Sequence, residues 1–313
     1  MKNILLMILR IFALFITFTI LFVFASNVTT PPELAQNFTQ EQLSQSAVIL
    51  PLVSLIMTLM LAYLALRSRW LGWKLAGALF LLFYGIYTFL SQIETAVFPA
   101  VANQLLPGML GGFFLAGLIL AAPLSLLAVW ILGKAKKEPA VNQPNNRLAL
   151  PASEWAWKIA VAVLLYVAVY FIFGYYIAWR TPGLPEFYGS TDPGTFWGQV
   201  SNVVRDTPWL PFFQGFRALV WIGIGCIIIR MHKGNGLETS LAVGLAFSVL
   251  MAAPLLFPNP FMPPEITRAH FIELISSNFL YGCLLSALVL WRPKAVSSLR
   301  PAPFMAKSGE ESQ

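Results

Sequence analysis

Eight apolar runs of roughly 17–25 residues each leave this chain very few folds. Within lipid, every backbone N–H and C=O must be bonded inside its own segment, and runs this long can do so only as helices. Strands of a membrane barrel would alternate apolar and polar residues at period two, and these runs do not. Charged residues make up 11% of the 313 and hydrophobic residues 58%, where a soluble domain carries about 25% charged residues. The expected class is all-α: a polytopic helical membrane protein. Its spans are expected at approximately Ile4–Ala25, Ala47–Leu66, Leu71–Leu90, Met109–Leu132, Trp155–Ile177, Phe212–Ile229, Leu241–Phe257 and Phe271–Trp291.

The placement of charge orients these spans. Of the twenty Lys and Arg, sixteen fall on one side if both termini are cytoplasmic. They are Lys2, Arg10, Arg67, Arg69, Lys74, Lys134, Lys136, Lys137, Arg147, Lys158, Arg230, Lys233, Arg292, Lys294, Arg300 and Lys307. Arg180, Arg205 and Arg268 fall on the other side, and Arg217 lies within a span. Cytoplasmic loops retain Lys and Arg, so the pattern predicts cytoplasmic termini and the inner (plasma) membrane of a bacterial-type cell. The net charge of +7 is thereby a topological signal, and the expected surrounding partner is the lipid bilayer, with no nucleic acid. Eight tryptophans, among them Trp73, Trp130 and Trp209, lie near span ends as an interfacial belt. The first run has a rival reading as a signal peptide cleaved after Ala25, since VFAS follows a long apolar core behind Lys2.

Two parallel four-helix halves are expected, 1–134 and 155–294, joined by a polar basic linker at 135–154 and followed by a disordered tail at 295–313. Pro51 and Pro211 open the second and sixth spans about 160 residues apart. Lys134 and Lys294 close the fourth and eighth at a similar offset. Four spans per half is an even number, so a symmetry axis would run along the membrane normal. Among the outer loops, Thr30 with Glu33 reads as a capping box and Met262–Glu265 repeats the Pro-Pro-Glu start. The aromatic, Gly- and Pro-rich stretch Trp179–Trp209 is apolar enough to fold over the outer face, with a passive loop as the plainer alternative.

Ionisable residues inside spans are costly and mark candidate sites. At about 100° per residue, His270, Glu273, Ser277 and Tyr281 share an arc of roughly 80°, with Asn278 at its edge. Glu265 and Arg268 lie nearly opposite, one turn apart, where they are expected to pair at the wet end of the helix. In the third span Tyr84, Tyr87, Ser91 and Glu94 recur at helical spacing as a second stripe. Both stripes place a carboxylate outermost, serine below it and tyrosine deeper. If they face one another they line a polar cavity open to the outside, with Arg217 as counter-charge and Gln214 on its face. An equally available alternative is a pair of interfacial polar faces packed on neighbours, with Arg217 structural or snorkelling.

No paired histidines, H-E-x-x-H, aspartate cluster, G-x-S-x-G, Walker motif or mid-span lysine accompanies these residues, so no metal or cofactor is expected and no catalytic set is distinguishable. Cys226 and Cys283 read as buried thiols. The sequence therefore points to a permease or transport-complex subunit for a small solute or ion. Glu94 and Glu273 would be the coupling carboxylates, His270 the proton partner and Arg217 the counter-ion. The alternatives are a membrane scaffold or sensor that binds a membrane-protein partner through its outer loops, and an intramembrane enzyme acting on lipid or envelope precursors.

Overall fold

The computed structural model describes residues 2–35, 38–135 and 145–292. Eight of its helices are long and apolar enough to cross a membrane. They are α1 (Lys2–Thr29), α2 (Gln40–Leu66), α3 (Gly72–Val97), α4 (Met109–Ile131), α5 (Ala152–Ala178), α6 (Leu210–Met231), α7 (Gly236–Leu256) and α8 (Pro264–Leu290). The chain is a multi-pass helical membrane protein. The expected tail at 295–313, and most of the linker, lie outside the described residues.

Most of the helices extend beyond their apolar runs, and local capping explains where. α2 begins in the polar stretch QEQLSQS because Thr39 Oγ1 accepts from Gln42 N while Gln42 Oε1 accepts from Thr39 N, a capping box. Pro51 consequently sits well inside α2, whereas Pro211 sits in the first turn of α6, so the two prolines do not occupy matching places. The capping box expected of Thr30 and Glu33 does not form; the short helix there runs Pro32–Ala35. α8 opens at Pro264, roughly two turns before the apolar run begins. Proline suits that position because the first helical N–H has no partner within the helix.

Two spans are not α-helical throughout. α3 carries a π-helical stretch over Tyr84–Leu90, and α5 ends in another over Gly174–Ala178. Bonding from i to i+5 lowers the rotation per residue, so side chains on either side of such a stretch lose their α-helical phase.

In the bundle α1 packs on α2 and α4, and α3 on α4; α5 packs on α6 and α8, and α7 on α8. Between these two sets α2 meets α7 and α3 meets α6. α1 is an integral part: Leu14 and Phe18 are fully buried, Phe18 meets Phe83 edge-on at 6.0 Å and Phe22 stacks on Phe257 at 5.4 Å. α7 and α8 approach most closely at glycines, where a Cβ on Gly282 would lie 2.7 Å from Gly244 Cα. Backbones can come this near only where side chains are absent.

The turns after α2 and after α6 meet at the basic end of the bundle. Ser68 and His232 form an antiparallel bridge, with Arg69 N donating to Met231 O and Lys233 N to Arg67 O. Arg67 grips Glu238 with two parallel bonds of 2.6 Å. Arg147 Nη1 donates to His232 O and to Thr239 Oγ1, and its Nη2 to Gly234 O. His232 is fully buried beneath this clasp, and burial lowers its pKa to about 4, against the ordinary 6.5.

Lys158, expected on a wet flank, is instead buried at 1% exposure. It pairs with Glu154 at 2.8 Å and donates to Val289 O and Trp291 O. Its charge thus serves carbonyls that the last turn of α8 leaves without helical partners.

Candidate functional site

At the opposite end of the bundle, four spans and one loop bring the membrane-embedded polar residues together. α6 supplies Gln214, Arg217 and Trp221, which fall on one face at i, i+3 and i+7. Arg217 lies about 10 Å of helix axis in from the start of α6 and is 1% exposed. Its side chain pairs within the protein. Its Nη1 donates to Glu94 Oε1 of α3 at 2.8 Å and to Gln214 Oε1 at 3.0 Å. A guanidinium keeps its proton in any protein environment, so a buried one requires such a partner.

α8 supplies the second pair. His270 Nδ1 lies 2.9 Å from Glu273 Oε2, and His270 Nε2 lies 2.9 Å from the hydroxyl of Tyr188. A neutral His270 would donate from Nδ1 to the carboxylate and accept the Tyr188 proton at Nε2; the imidazolium would donate at both. Tyr188 belongs to the loop between α5 and α6, immediately after the short helix Leu184–Phe187. That loop is held down by a small core of Ala178, Leu184, Ile266 and Ala269, and by Arg180, which donates to Tyr175 Oη at 2.6 Å and pairs with Asp192 at 3.2 Å. The Tyr188 ring stacks on Trp179 at 6.0 Å and meets Phe98 edge-on at 5.9 Å. The Trp179–Trp209 loop is therefore a cover over His270.

The two pairs lie near each other. Burial, joined by the electrostatic effect of Glu94 and Glu273, pushes the Tyr188 phenol pKa up, which keeps it a proton donor. α5 closes the third side with Tyr166, Tyr170 and Gly174, spaced i, i+4 and i+8. A Cβ on Gly174 would lie 3.5 Å from Glu273 Oε1, and the Tyr166 ring meets that of Tyr281 at 4.9 Å.

Among the expected site residues, Glu94, Arg217, His270 and Glu273 are brought together, with Asn278 and Tyr281 deeper on α8 and buried. Ser277 is buried on the same helix, and Ser91 is half-buried, its carbonyl accepting from Thr95 Oγ1. Tyr84 and Tyr87 make no hydrogen bond to Glu94, Arg217, His270 or Glu273; their rings stack on Phe80 at 5.4 Å and Phe83 at 4.9 Å. A π-helical stretch lies between Tyr84 and Glu94, so the four residues of the third-span stripe do not keep the single α-helical face expected of them. Glu265 and Arg268 are both exposed and form no ion pair with each other, so the pairing expected at the wet end of α8 is absent. Tyr188 and its aromatic neighbours lie over His270, while a quarter of the Glu94 side chain stays exposed.

Sequence reasoning passed over Tyr166, Tyr170, Tyr188 and Trp221. The first two carried a signal, since two tyrosines one turn apart followed by glycine form a polar stripe in an apolar span. Trp221 was the one tryptophan at mid-span, away from the interfacial belt. No group of three or more His, Cys, Asp and Glu side chains gathers as a metal site among the described residues. Comparisons with protein-family models, curated proteins and solved structures find no match to this chain.

Proposed function

We propose that this protein is a proton-coupled permease, or the membrane subunit of a transport complex, for a small solute. Its basic end would face the cytoplasm of a bacterial-type cell. The observation that carries this reading is the hydrogen-bonded series Glu273–His270–Tyr188, which leads from a carboxylate 7% exposed to a loop at the bundle's far end. Carboxylate, imidazole and phenol at 2.9 Å spacings can pass a proton stepwise. Beside it, the Glu94–Arg217 pair joins one set of four helices to the other. A pair at such a junction changes partners when the sets move, which is how a solute and a proton become linked.

The corresponding packing of α1–α4 and α5–α8 supports a duplicated architecture with its axis along the membrane normal. In that architecture the Ser68–His232 bridge joins the two equivalent turns and would seal the cytoplasmic side. The cover formed by the Tyr188 loop would seal the other. The reading is tested in proteoliposomes carrying a pH-sensitive dye, by adding small solutes one at a time. Solute-driven proton movement that needs Glu273 supports it. A scaffold would tolerate Glu273→Gln with no flux to lose, and an enzyme would form product in detergent with no gradient.

A further inference from the structure

Around and beneath the Glu94–Arg217 pair, five buried polar atoms have no partner within the protein. Arg217 Nε, Gln214 Nε2 and Trp221 Nε1 belong to α6; Asn278 Nδ2 and the Tyr281 hydroxyl belong to α8. Each of these residues is at most 4% exposed. Four of the five atoms can only donate, and the fifth can donate or accept. Buried donors are ordinarily bonded, so a set biased this far toward donors calls for something rich in acceptors. Gln92 Oε1 is also without a partner, but two residues from Glu94 it belongs to another face of α3.

Ring contacts connect α6 and α8 around these atoms. Trp221 packs on Phe247 at 4.3 Å, Phe247 lies 6.3 Å from Tyr281, and Tyr281 lies 4.9 Å from Tyr166. Tyr166 is in turn within electrostatic reach of Arg217, Glu94 and Glu273, and its hydroxyl also interacts with the Trp221 N–H, so Trp221 is the least open of the five donors. The walls are thus aromatic and the polar groups point one way in chemistry.

We infer that this region among α5, α6, α7 and α8 is the solute site, and that it takes a small monocarboxylate with a flat apolar body. The inference rests on the permease reading and names its substrate class. Arg217 would hold the carboxylate, Gln214, Trp221 and Asn278 would complete its acceptor set, and the body would lie among Tyr166, Phe247 and Tyr281. A cation is disfavoured by Arg217 and by the lack of acceptors. A dianion such as phosphate is disfavoured because the single guanidinium already carries Glu94 at 2.8 Å.

The test uses four probes on the purified full chain: phenylpyruvate, its neutral relative phenylacetone, cationic phenethylamine and inorganic phosphate. A ligand that binds the folded state raises the unfolding temperature. Phenylpyruvate is expected to do so saturably, with the other three at least tenfold weaker. Gln214→Glu keeps the oxygen that Arg217 uses but exchanges the free donor for a charged acceptor, and should weaken phenylpyruvate at least tenfold. Asn278→Asp likewise replaces the free amide donor by a charged acceptor of nearly the same shape, and should weaken it several-fold; it decides the matter if Gln214→Glu fails to fold. No saturable phenylpyruvate binding, or undiminished binding by these variants, overturns the assignment. Phenylpyruvate binding without transport in proteoliposomes would sink the permease reading and leave the site standing. Glu273-dependent flux of some other solute, with no carboxylate binding, would sink the site and leave the permease.

Discussion

Arg217 of α6 and Glu94 of α3 meet at 2.8 Å inside the bundle, across the boundary between the first four helices and the last four. The pair is asymmetric: the Arg217 side chain is 2% exposed and that of Glu94 25%. The arginine therefore depends on the carboxylate far more than the reverse.

Glu94→Gln should accordingly destabilise the protein. Removing one partner of a buried pair costs roughly 3–5 kcal/mol, and the partial exposure of Glu94 puts the loss at the lower end, about 3 kcal/mol. Glu94→Gln with Arg217→Gln should recover much of that loss, because no uncompensated charge remains. A double-mutant cycle on unfolding in detergent checks this, and strictly additive losses would show that the two residues are not coupled.

Tyr188→Phe separates the proton path from the fold. The ring contacts with Phe98 and Trp179 survive the change, and only the bond to His270 is lost. Stability should change by no more than about 1 kcal/mol, while solute-driven proton movement slows at least several-fold and its pH profile shifts. Equal rates at every pH would remove Tyr188 from the path.

His232 gives a pH dependence at the basic end. Its folded pKa, about 4, lies below the ordinary 6.5 of an unfolded histidine. Between those values the unfolded chain binds the extra proton, so stability is fully present above about pH 6.5 and falls as the pH drops toward 4. At about 1.4 kcal/mol per pH unit, the loss across the window is on the order of 2–3 kcal/mol. The stability of wild-type protein is followed against pH, and His232→Gln should flatten this part of the curve.

Gly282→Ala tests the α7–α8 contact. The new Cβ would meet Gly244 Cα at 2.7 Å and Gly244 N at 2.9 Å, and backbone cannot swing aside as a side chain can. The expected cost is roughly 1–3 kcal/mol or more, whereas Gly223→Ala, in open space on α6, should be close to neutral. Equal stability of the two variants would mean that the close approach is not maintained.

Much of this architecture is legible in residue order because lipid is so restrictive a solvent. Eight apolar runs become eight helices, and the depth of Arg217, His270 and Glu273 follows from counting along them. What hydropathy cannot register is phase. Tyr84–Leu90 reads YGIYTFL, equally apolar as α or π helix, and the difference breaks the single face expected of Tyr84, Tyr87, Ser91 and Glu94. Pairings across the sequence are equally silent: Tyr188 and His270 stand 82 residues apart, and nothing local to either announces the other. Glu154 and Lys158 illustrate a third gap, since an i, i+4 pair reads as a wet helix end until α8 covers it. Even the start of α2 was hidden, because the Thr39–Gln42 capping box extends a helix into residues too polar to score as membrane.

The central claim is that Glu273 links proton movement to passage of a solute, and one comparison tests it most directly. Wild-type protein and Glu273→Gln are reconstituted side by side in dye-loaded liposomes and given an inward proton gradient and the same panel of small solutes. The account predicts that at least one solute accelerates proton entry through wild-type protein, and that Glu273→Gln abolishes this acceleration while retaining the folded bundle. Proton entry through Glu273→Gln matching wild type, or wild-type liposomes indistinguishable from protein-free ones for every solute, would contradict it.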